Sequence, residues 1–188
     1  FRNLTKLSSK SYLDNDGVSI PHCKLNDLFS NSDDLIVTGG SIDSLITKSI
    51  KKNNSKLTEK LISEIKKVFG DKFYFEIQRH NDQGEKAIEN IFIELSKKFK
   101  IPLIASQEVF YIERNMHEAH DALLCIGEKT YVDEKNRKKF SDQHYIKSSE
   151  EIEKLYSDLP EALENNFNFP YRFSYKLKKS LPNLPSIK

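Results

Sequence analysis

The run IPLIASQEVFYI, residues Ile101–Ile112, is strand-like and is followed at once by the helix-like NMHEAHDALLCIGEKTYVD. Its apolar residues give way to polar ones, as they do where a strand of an α/β protein enters the loop at its carboxyl end. Catalytic and metal-binding groups collect at such strand ends. The stretch therefore looks like half of a metal site.

Apolar residues alternate between strand and helix periodicity along the chain. Short runs at Leu35–Val37 and Phe73–Ile77 precede the one described above, and each is followed by a helix-like pattern. This β-α-β-α-β order with short connections predicts parallel strands with helices covering an outer face. Because parallel strands deliver their carboxyl ends to one side, Gly40, Glu76–His80 and Glu108–Phe110 are expected to line one mouth.

Residues Ala119–Ile126 read AHDALLCI, and three further segments carry patterns of the same kind: Phe1–Leu13, Asp71–His80 and Glu151–Asn165. In their order along the chain, all four resemble the polymerase and histidinol phosphatase (PHP) domain of bacterial replicative DNA polymerase III alpha subunits. The pattern of that family at the first segment is Ala-His-Asp-x-Leu-Leu-Cys-Ile. The resemblance implies an α/β chain that forms part of a PHP-type distorted (β/α)7 barrel with parallel strands and outer helices.

The resemblance also implies where divalent metal ions are held. In that family an Asp and a His at the strand end are ligands, and their places fall on Glu108 and Phe110. A phenyl ring has no lone pair to offer a metal, and Gly40 stands where the family often has a Cys ligand. We therefore predict a degenerate site with His80 and Glu108 as candidate ligands and no catalytic residue. No cofactor is firmly expected, although zinc, manganese or magnesium could bind.

His80, Gly40 and Glu76 each have a second interpretation. His80 could be a hydrogen-bonded structural residue rather than a ligand. Gly40 follows Gly39, and the pair is typical of a tight turn that tolerates positive φ. Glu76 could point into the mouth, but an ion pair with Arg79 or Lys72 is the favoured interpretation.

The other four histidines are predicted to be structural or incidental. His117 and His120 have i, i+3 spacing, which can bind metal on one helical face. For His120, a structural bond to Asp121 or to a main-chain carbonyl is the favoured interpretation. His22 and His144 lie in polar loops and are predicted to be incidental.

The family's opening His-x-His is absent and the chain starts without Met, so we expect a fragment or split chain that lacks the first barrel strands. Residues 1–165 are interpreted as the carboxyl-terminal part of a PHP domain, and 166–188 as an aromatic, proline-containing linker toward the polymerase body. Alternating aromatic residues in this linker predict a strand or an extended arm, which Pro182 and Pro185 then end. They are Phe167, Phe169, Tyr171, Phe173 and Tyr175. Because an incomplete barrel leaves sheet edges open, we expect self-association or marginal stability.

Composition favours one soluble domain with a charged surface, since 37% of residues are hydrophobic and 31% charged. No apolar run approaches the ~20 residues of a membrane span, and no signal-peptide pattern is present, so we predict a cytoplasmic protein with no membrane partner. Cys23 and Cys125 lie far apart without a CxxC partner, which argues against a disulfide or zinc knuckle.

A net charge of +2 does not by itself predict nucleic-acid binding. Two lysine clusters are favoured as solvated surface, and the second is the better candidate for a nucleic-acid contact. They are Lys48, Lys51 and Lys52, and Lys176, Lys178 and Lys179.

By resemblance, the parent protein would synthesise DNA on a template from deoxynucleoside triphosphates with magnesium, using residues outside this chain. The chain itself would be a structural and docking module for the proofreading exonuclease subunit and other replisome subunits. One alternative is an active metal-dependent PHP phosphoesterase or 3′-5′ exonuclease. Another is a free-standing PHP-type phosphatase, against which the Ala119–Ile126 match stands.

Overall fold

The computed structural model describes residues 1–176, 178–179 and 181–182. This part contains a parallel sheet of three strands in the order β1-β2-β3, with helices before, between and after them. The strands are β1 (Val37–Gly39), β2 (Phe73–Gln78) and β3 (Leu103–Ser106). The helices are α1 (Arg2–Leu13), α2 (Leu25–Ser30), α3 (Leu45–Lys51), α4 (Ser55–Phe69), α5 (Glu85–Phe99), α6 (His117–Glu128), α7 (Ser149–Leu155) and α8 (Pro160–Asn168).

The predicted α/β order and the parallel pairing of the three strands are confirmed. Val37 pairs with Phe73 and Phe75 with Leu103, so the carboxyl ends of all three strands reach one side. The described sheet stops at three strands, so a complete (β/α)7 barrel is not established. None of the described helices is both long and apolar enough to cross a membrane.

The core forms where β2 is covered by helices. β2 is buried along most of its length, and the ring of Phe92 on α5 meets that of Phe75 edge-on at 5.0 Å. Tyr156, the residue after α7, and Ala162 on α8 belong to the same core. The Tyr156 hydroxyl lies 3.0 Å from the Ile77 carbonyl oxygen and 3.1 Å from that of Ser106, so one side chain spans the ends of two strands.

Two sequence predictions differ from the structure. The strand predicted over Ile101–Ile112 ends at Ser106, because the residues beyond it turn to bond His80 and the segment around His144; Tyr111 forms an isolated bridge with Tyr145. The aromatic run predicted as a strand or extended arm begins inside α8 and continues as a 3-10 helix, Phe169–Arg172.

The 3-10 helix is held by contacts of its own. Phe169 packs edge-on against Tyr74 at 5.2 Å, and Arg172 donates to the Asp71 carboxylate at 2.6 Å. The predicted boundary at residue 165 falls within α8, and Pro185 of the predicted linker lies outside the described residues.

Helix α8 covers the free edge of β3 with side-chain amides. Asn166 accepts a hydrogen bond from the Ala105 N–H at 3.0 Å and donates one to the Ala105 carbonyl at 2.6 Å. Asn165 donates to the Leu103 carbonyl at 2.8 Å. These amides satisfy strand groups that would otherwise be open to pairing with another chain.

We expect Asn166→Ala to lower the free energy of unfolding by about 2–4 kcal/mol, because it leaves both main-chain groups of buried Ala105 without a partner. Urea unfolding followed by circular dichroism measures the loss. Asn168→Ala, an exposed position on the same helix, serves as the control and should change stability by less than about 0.5 kcal/mol. Equal stabilities of the two variants would show that the amide does not cap the strand.

Candidate functional site: a histidine cluster at the strand ends

Four residues from three segments meet at the carboxyl ends of β2 and β3. His80 and Asp82 follow β2, Glu108 follows β3, and His144 comes from the loop between α6 and α7. His80 and His144 are buried, with 2% and 1% of their surfaces exposed. The loops after β2 and β3 place His80, Asp82 and Glu108 at the same edge of the sheet, and the loop between α6 and α7 adds His144.

His80 has both ring nitrogens engaged. Its Nδ1 lies 3.0 Å from Glu85 Oε1, and its Nε2 lies 3.1 Å from the main-chain nitrogen of Glu108. Because a main-chain N–H can only donate, Nε2 is the unprotonated nitrogen and Nδ1 carries the hydrogen. His80 is therefore fixed as one neutral tautomer, with Nδ1–H donating to Glu85.

His144 contacts the same strand end from the other side. Its Nδ1 lies 3.0 Å from the carbonyl oxygen of Glu108, which can only accept, so Nδ1 donates. Its Nε2 lies 3.0 Å from Asp82 Oδ2, while Asp82 Oδ1 accepts from the Ser141 N–H at 3.1 Å. The main chain of Glu108 thus joins both imidazoles, and its exposed side chain takes no part in these bonds.

Four aromatic rings stack in a column through the cluster. The rings of His80 and His144 are 4.1 Å apart between centroids and 5° from parallel. Phe110 stacks on the other face of the column, 4.9 Å from His144 and 5.0 Å from His120. The phenyl ring at the position where the resemblance implies a metal ligand is therefore a packing element between two imidazoles.

His80, Asp82 and His144 form a group that could hold a metal ion. One ligand atom from each lies within 4.8 Å of the others, whereas the Glu108 carboxylate is not one of them. Histidine and carboxylate are suitable donors for zinc or manganese. The identity of the donors therefore fits a metal.

The orientation of the donors does not fit a metal. The lone pair of an imidazole nitrogen lies in the ring plane, and two rings only 5° from parallel have no common in-plane point near their nitrogens. The lone pair of His80 Nε2 also accepts the Glu108 N–H, whereas His144 Nε2 faces the Asp82 carboxylate, itself one of the three donors. Binding would require at least one ring to turn and to leave its present partner.

Gly40, the residue after β1, lies against the main chain of Glu76 on β2. Its φ is +140°, and a Cβ built there would lie 2.3 Å from the Glu76 carbonyl oxygen, so no other side chain fits without moving β2. The positive φ expected at Gly40 is present, and a Cys could not enter at this backbone position. The cavity between Gly40, Glu76 and Glu85 measures only about 10 Å³, which is room for about one water.

His117 and His120 on α6 lie apart from the three donors. His117 Nε2 lies 2.9 Å from the Phe140 carbonyl oxygen. His120 has a buried Nδ1 without a hydrogen-bond partner among the described residues, and burial lowers the pKa of its ring. The expected bond of His120 to Asp121 is wrong, because Arg137 holds the Asp121 carboxylate with two bonds of 2.5 and 2.6 Å.

The strand carboxylate Glu76 also has a different partner from the one predicted. Ser106 and Gln78 donate to it, whereas Arg79 turns to the opposite side. Arg79 donates to both oxygens of Glu89, at 2.7 and 3.0 Å, and its guanidinium lies 4.8 Å above the ring of Tyr156. The predicted Glu76–Arg79 pair is therefore wrong.

Sequence reasoning missed two members of the cluster. Asp82 could have been found from its place two residues after His80, just beyond the strand end. His144 could not have been distinguished from His22, because both lie in polar loops; the structure buries His144 and exposes His22.

Residues 1–80 match the family described as PHP domain. Over 187 residues, or its full length, the chain is 35% identical to the DNA polymerase III subunit alpha of Rickettsia bellii and 32% identical to that of Caulobacter vibrioides. It is 37% identical over 166 residues, 88% of the chain, to the subunit of Borreliella burgdorferi. The chain spans 14–16% of the length of these relatives.

Residues 1–80 are thus similar in sequence to the PHP domain family. Over its whole length the chain is similar to part of DNA polymerase III alpha subunits.

Replacing His144 with Ala should lower the free energy of unfolding by about 2–4 kcal/mol, because the Glu108 carbonyl and the Asp82 carboxylate lose a partner. The equivalent change at exposed His22 should cost less than about 0.5 kcal/mol. Chemical unfolding of both variants compares the two loops. Similar losses would mean that the cluster contributes no stability.

Arg79 should make stability depend on pH. Burial alone would raise the pKa of Glu89, but hydrogen bonds from Arg79 and Lys86 bring it below its ordinary value, and a hydrogen bond from Arg79 lowers the pKa of Asp158. A lowered carboxyl pKa contributes stability above the unfolded-state pKa, which is lost as the pH falls through the folded-state pKa. Stability should therefore decline as the pH falls below about 4.5.

Arg79→Met should cost about 3–5 kcal/mol at neutral pH and flatten this acid decline, because buried Glu89 loses its main partner. Unfolding measured from neutral to acid pH tests both effects. Lys98→Met, which removes an exposed pair with Glu59, is the control. An unchanged acid decline in Arg79→Met would contradict the assignment.

Proposed function

We propose that this chain is the structural PHP part of a DNA polymerase III alpha subunit, in which a hydrogen-bonded histidine cluster stands in place of a metal centre. The whole protein would carry out template-directed DNA synthesis from deoxynucleoside triphosphates, with magnesium held by residues outside this chain. Residues 1–165 would form the carboxyl-terminal part of a distorted (β/α)7 barrel, and 166–188 the linker toward the polymerase body. The protein would act in the cytoplasm.

What carries the proposal is the bonding of His80 and His144. Each imidazole already has a partner at both nitrogens, and the two rings lie parallel. A catalytic metal site keeps its ligand nitrogens directed at the ion and leaves an open position for water or substrate. Here the ligand nitrogens point at protein atoms, and the mouth beside Gly40 is filled by backbone.

A bonded cluster of this kind suits a structural role. It joins the loops after β2 and β3 to the segment around His144, which are otherwise far apart in sequence. In many metal-dependent domains the ion provides that cross-link between loops. A rigid module then offers a surface for partners, and by family resemblance these would be the proofreading exonuclease subunit and other replisome subunits.

The alternative function is a metal-dependent phosphoesterase or 3′-5′ exonuclease. One observation favours it, namely that His80, Asp82 and His144 place three donor atoms within 4.8 Å of one another. The candidate ligand Glu108 would then contribute through its longer side chain. Such a site would have to turn at least one imidazole away from its present partner before an ion could be held.

Metal analysis of the full chain separates the two functions. After exposure to zinc or manganese and gel filtration, we expect less than about 0.1 equivalent of bound metal and a melting temperature within about 1 °C of that in chelator. About one equivalent, lost in Asp82→Ala and retained in the loop control Asp133→Ala, would overturn the structural proposal and support the phosphoesterase.

A further inference from the structure

Charge and aromatic residues are concentrated at one end of the chain. Residues 165–188 hold five of the 30 Lys and Arg residues and none of the 28 Asp and Glu residues. The other 164 residues therefore have 25 basic and 28 acidic residues, a formal net charge of −3. The net charge of +2 for the whole chain does not reveal that the basic residues are concentrated at this end. Five aromatic residues lie within the basic segment: Phe167, Phe169, Tyr171, Phe173 and Tyr175.

Most of these aromatic rings are on the surface. Phe173 is 56% exposed, Tyr175 67% and Tyr171 78%. Aromatic side chains in a globular domain normally bury most of their area, so several exposed rings in one segment indicate a contact surface. Arg172 lies among these aromatic residues, and Lys176, Lys178 and Lys179 follow them, with no acidic residue in the segment. The positive charge favours an anionic partner over an uncharged apolar one.

The segment is anchored to the fold. Arg172 donates to the Asp71 carboxylate and also to the hydroxyl of Tyr74 on β2. Further along, the ring of Tyr175 stacks on that of Phe1, 5.9 Å away and 12° from parallel. These contacts of Arg172 and Tyr175 fix the position of the segment that carries the exposed rings.

A cleft of about 580 Å³ runs beside this segment. The residues that line it include two aromatic ones, Phe173 and Tyr175, and three lysines, Lys72, Lys176 and Lys178. Asp34 is the acidic residue that lines it. A cleft with flat apolar walls and several cationic side chains matches a ligand that carries both planar rings and anionic groups.

We propose that this cleft, together with the exposed side chains of Tyr171 and Lys179 nearby in the sequence, binds single-stranded nucleic acid. Unpaired bases stack on the exposed rings, and phosphates lie against Lys176, Lys178 and Lys179. Duplex DNA is a poorer ligand because its bases are already stacked and cannot reach the rings. The site deepens the proposed polymerase function but does not use the histidine cluster, so metal analysis and nucleic-acid binding succeed or fail separately.

Fluorescence anisotropy of the full chain with a labelled oligothymidylate of roughly 16 nucleotides tests the proposal. At about 50 mM salt we expect micromolar affinity, a weaker interaction with a duplex of equal length, and a decline as salt rises. An oligouridylate of the same length shows whether the site distinguishes DNA from RNA. No binding at about 100 µM protein, or tighter binding to the duplex, would overturn the proposal.

Matched variants locate the site. The triple change Lys176→Gln, Lys178→Gln and Lys179→Gln should weaken binding by about tenfold or more and reduce the log–log salt slope by about 2. The control triple Lys48→Gln, Lys51→Gln and Lys52→Gln removes the same charge from the other lysine cluster and should change affinity less than about twofold. Equal losses in the two triples would show only general charge attraction and overturn the assignment.

The aromatic contribution has its own control. Phe173→Ala with Tyr175→Ala should weaken single-strand binding by about tenfold while leaving the salt slope unchanged, because stacking releases no counterions. Tyr12→Ala with Tyr131→Ala removes two exposed rings elsewhere and should have little effect. If the first pair binds like the unaltered chain, bases do not stack at this cleft. Melting temperatures confirm that each variant remains folded.

Discussion

The main chain of Glu108 is the point on which the candidate site depends. Its N–H bonds Nε2 of His80, and its carbonyl oxygen bonds Nδ1–H of His144. These two bonds fix one hydrogen position on each ring and set the rings face to face. With the rings in this arrangement, Nε2 of His144 faces Asp82, and the ring of Phe110 stacks on that of His144. The residue predicted as a metal ligand through its carboxylate thus organises the cluster through its backbone.

Three further sets of contacts hold the elements around the histidine cluster together. The guanidinium of Arg79 ties the end of β2 to Glu89 on α5 and to Asp158 beyond α7, and Tyr156 bonds the ends of β2 and β3. The amides of Asn165 and Asn166 cover the outer edge of β3. Buried polar bonds of this kind add specificity of arrangement, because each leaves an unpaired group if the parts separate. A structural module depends on a fixed arrangement of its elements and does not require open space at the carboxyl ends of its strands.

Much of the fold could be predicted from the sequence because its signals are local. Strand and helix periodicity gave the β-α-β-α-β order, and the capping box of Ser148 and Glu151 at the start of α7 is another signal local in the sequence. The end of β3 and the form of the aromatic segment could not be predicted, since tertiary bonds to His80 and His144 and to Asp71 decide them. Alternating rings look like a strand whenever their packing partners are unknown.

The candidate site was predicted only in part for the same reason. His80 followed from its place after a strand, and the loss of a ligand at Phe110 followed from its chemistry. His144 joins the cluster from 62 residues beyond Asp82, and no local pattern separates it from an exposed loop histidine. Which groups on Glu108 face the imidazoles is a matter of backbone direction, which residue types do not reveal. Residue types alone therefore do not show how the nitrogens of the two imidazoles are oriented.

The central claim is that the imidazoles of His80 and His144 are held by protein hydrogen bonds rather than directed at a metal. Long-range ¹H–¹⁵N correlation spectra of the histidine rings in the full chain, with and without added zinc, test it most directly. The account predicts that His80 is the neutral tautomer protonated at Nδ1 and that zinc leaves the resonances of both rings unchanged. Zinc-dependent shifts at Nε2 of His80 and His144 together would contradict it.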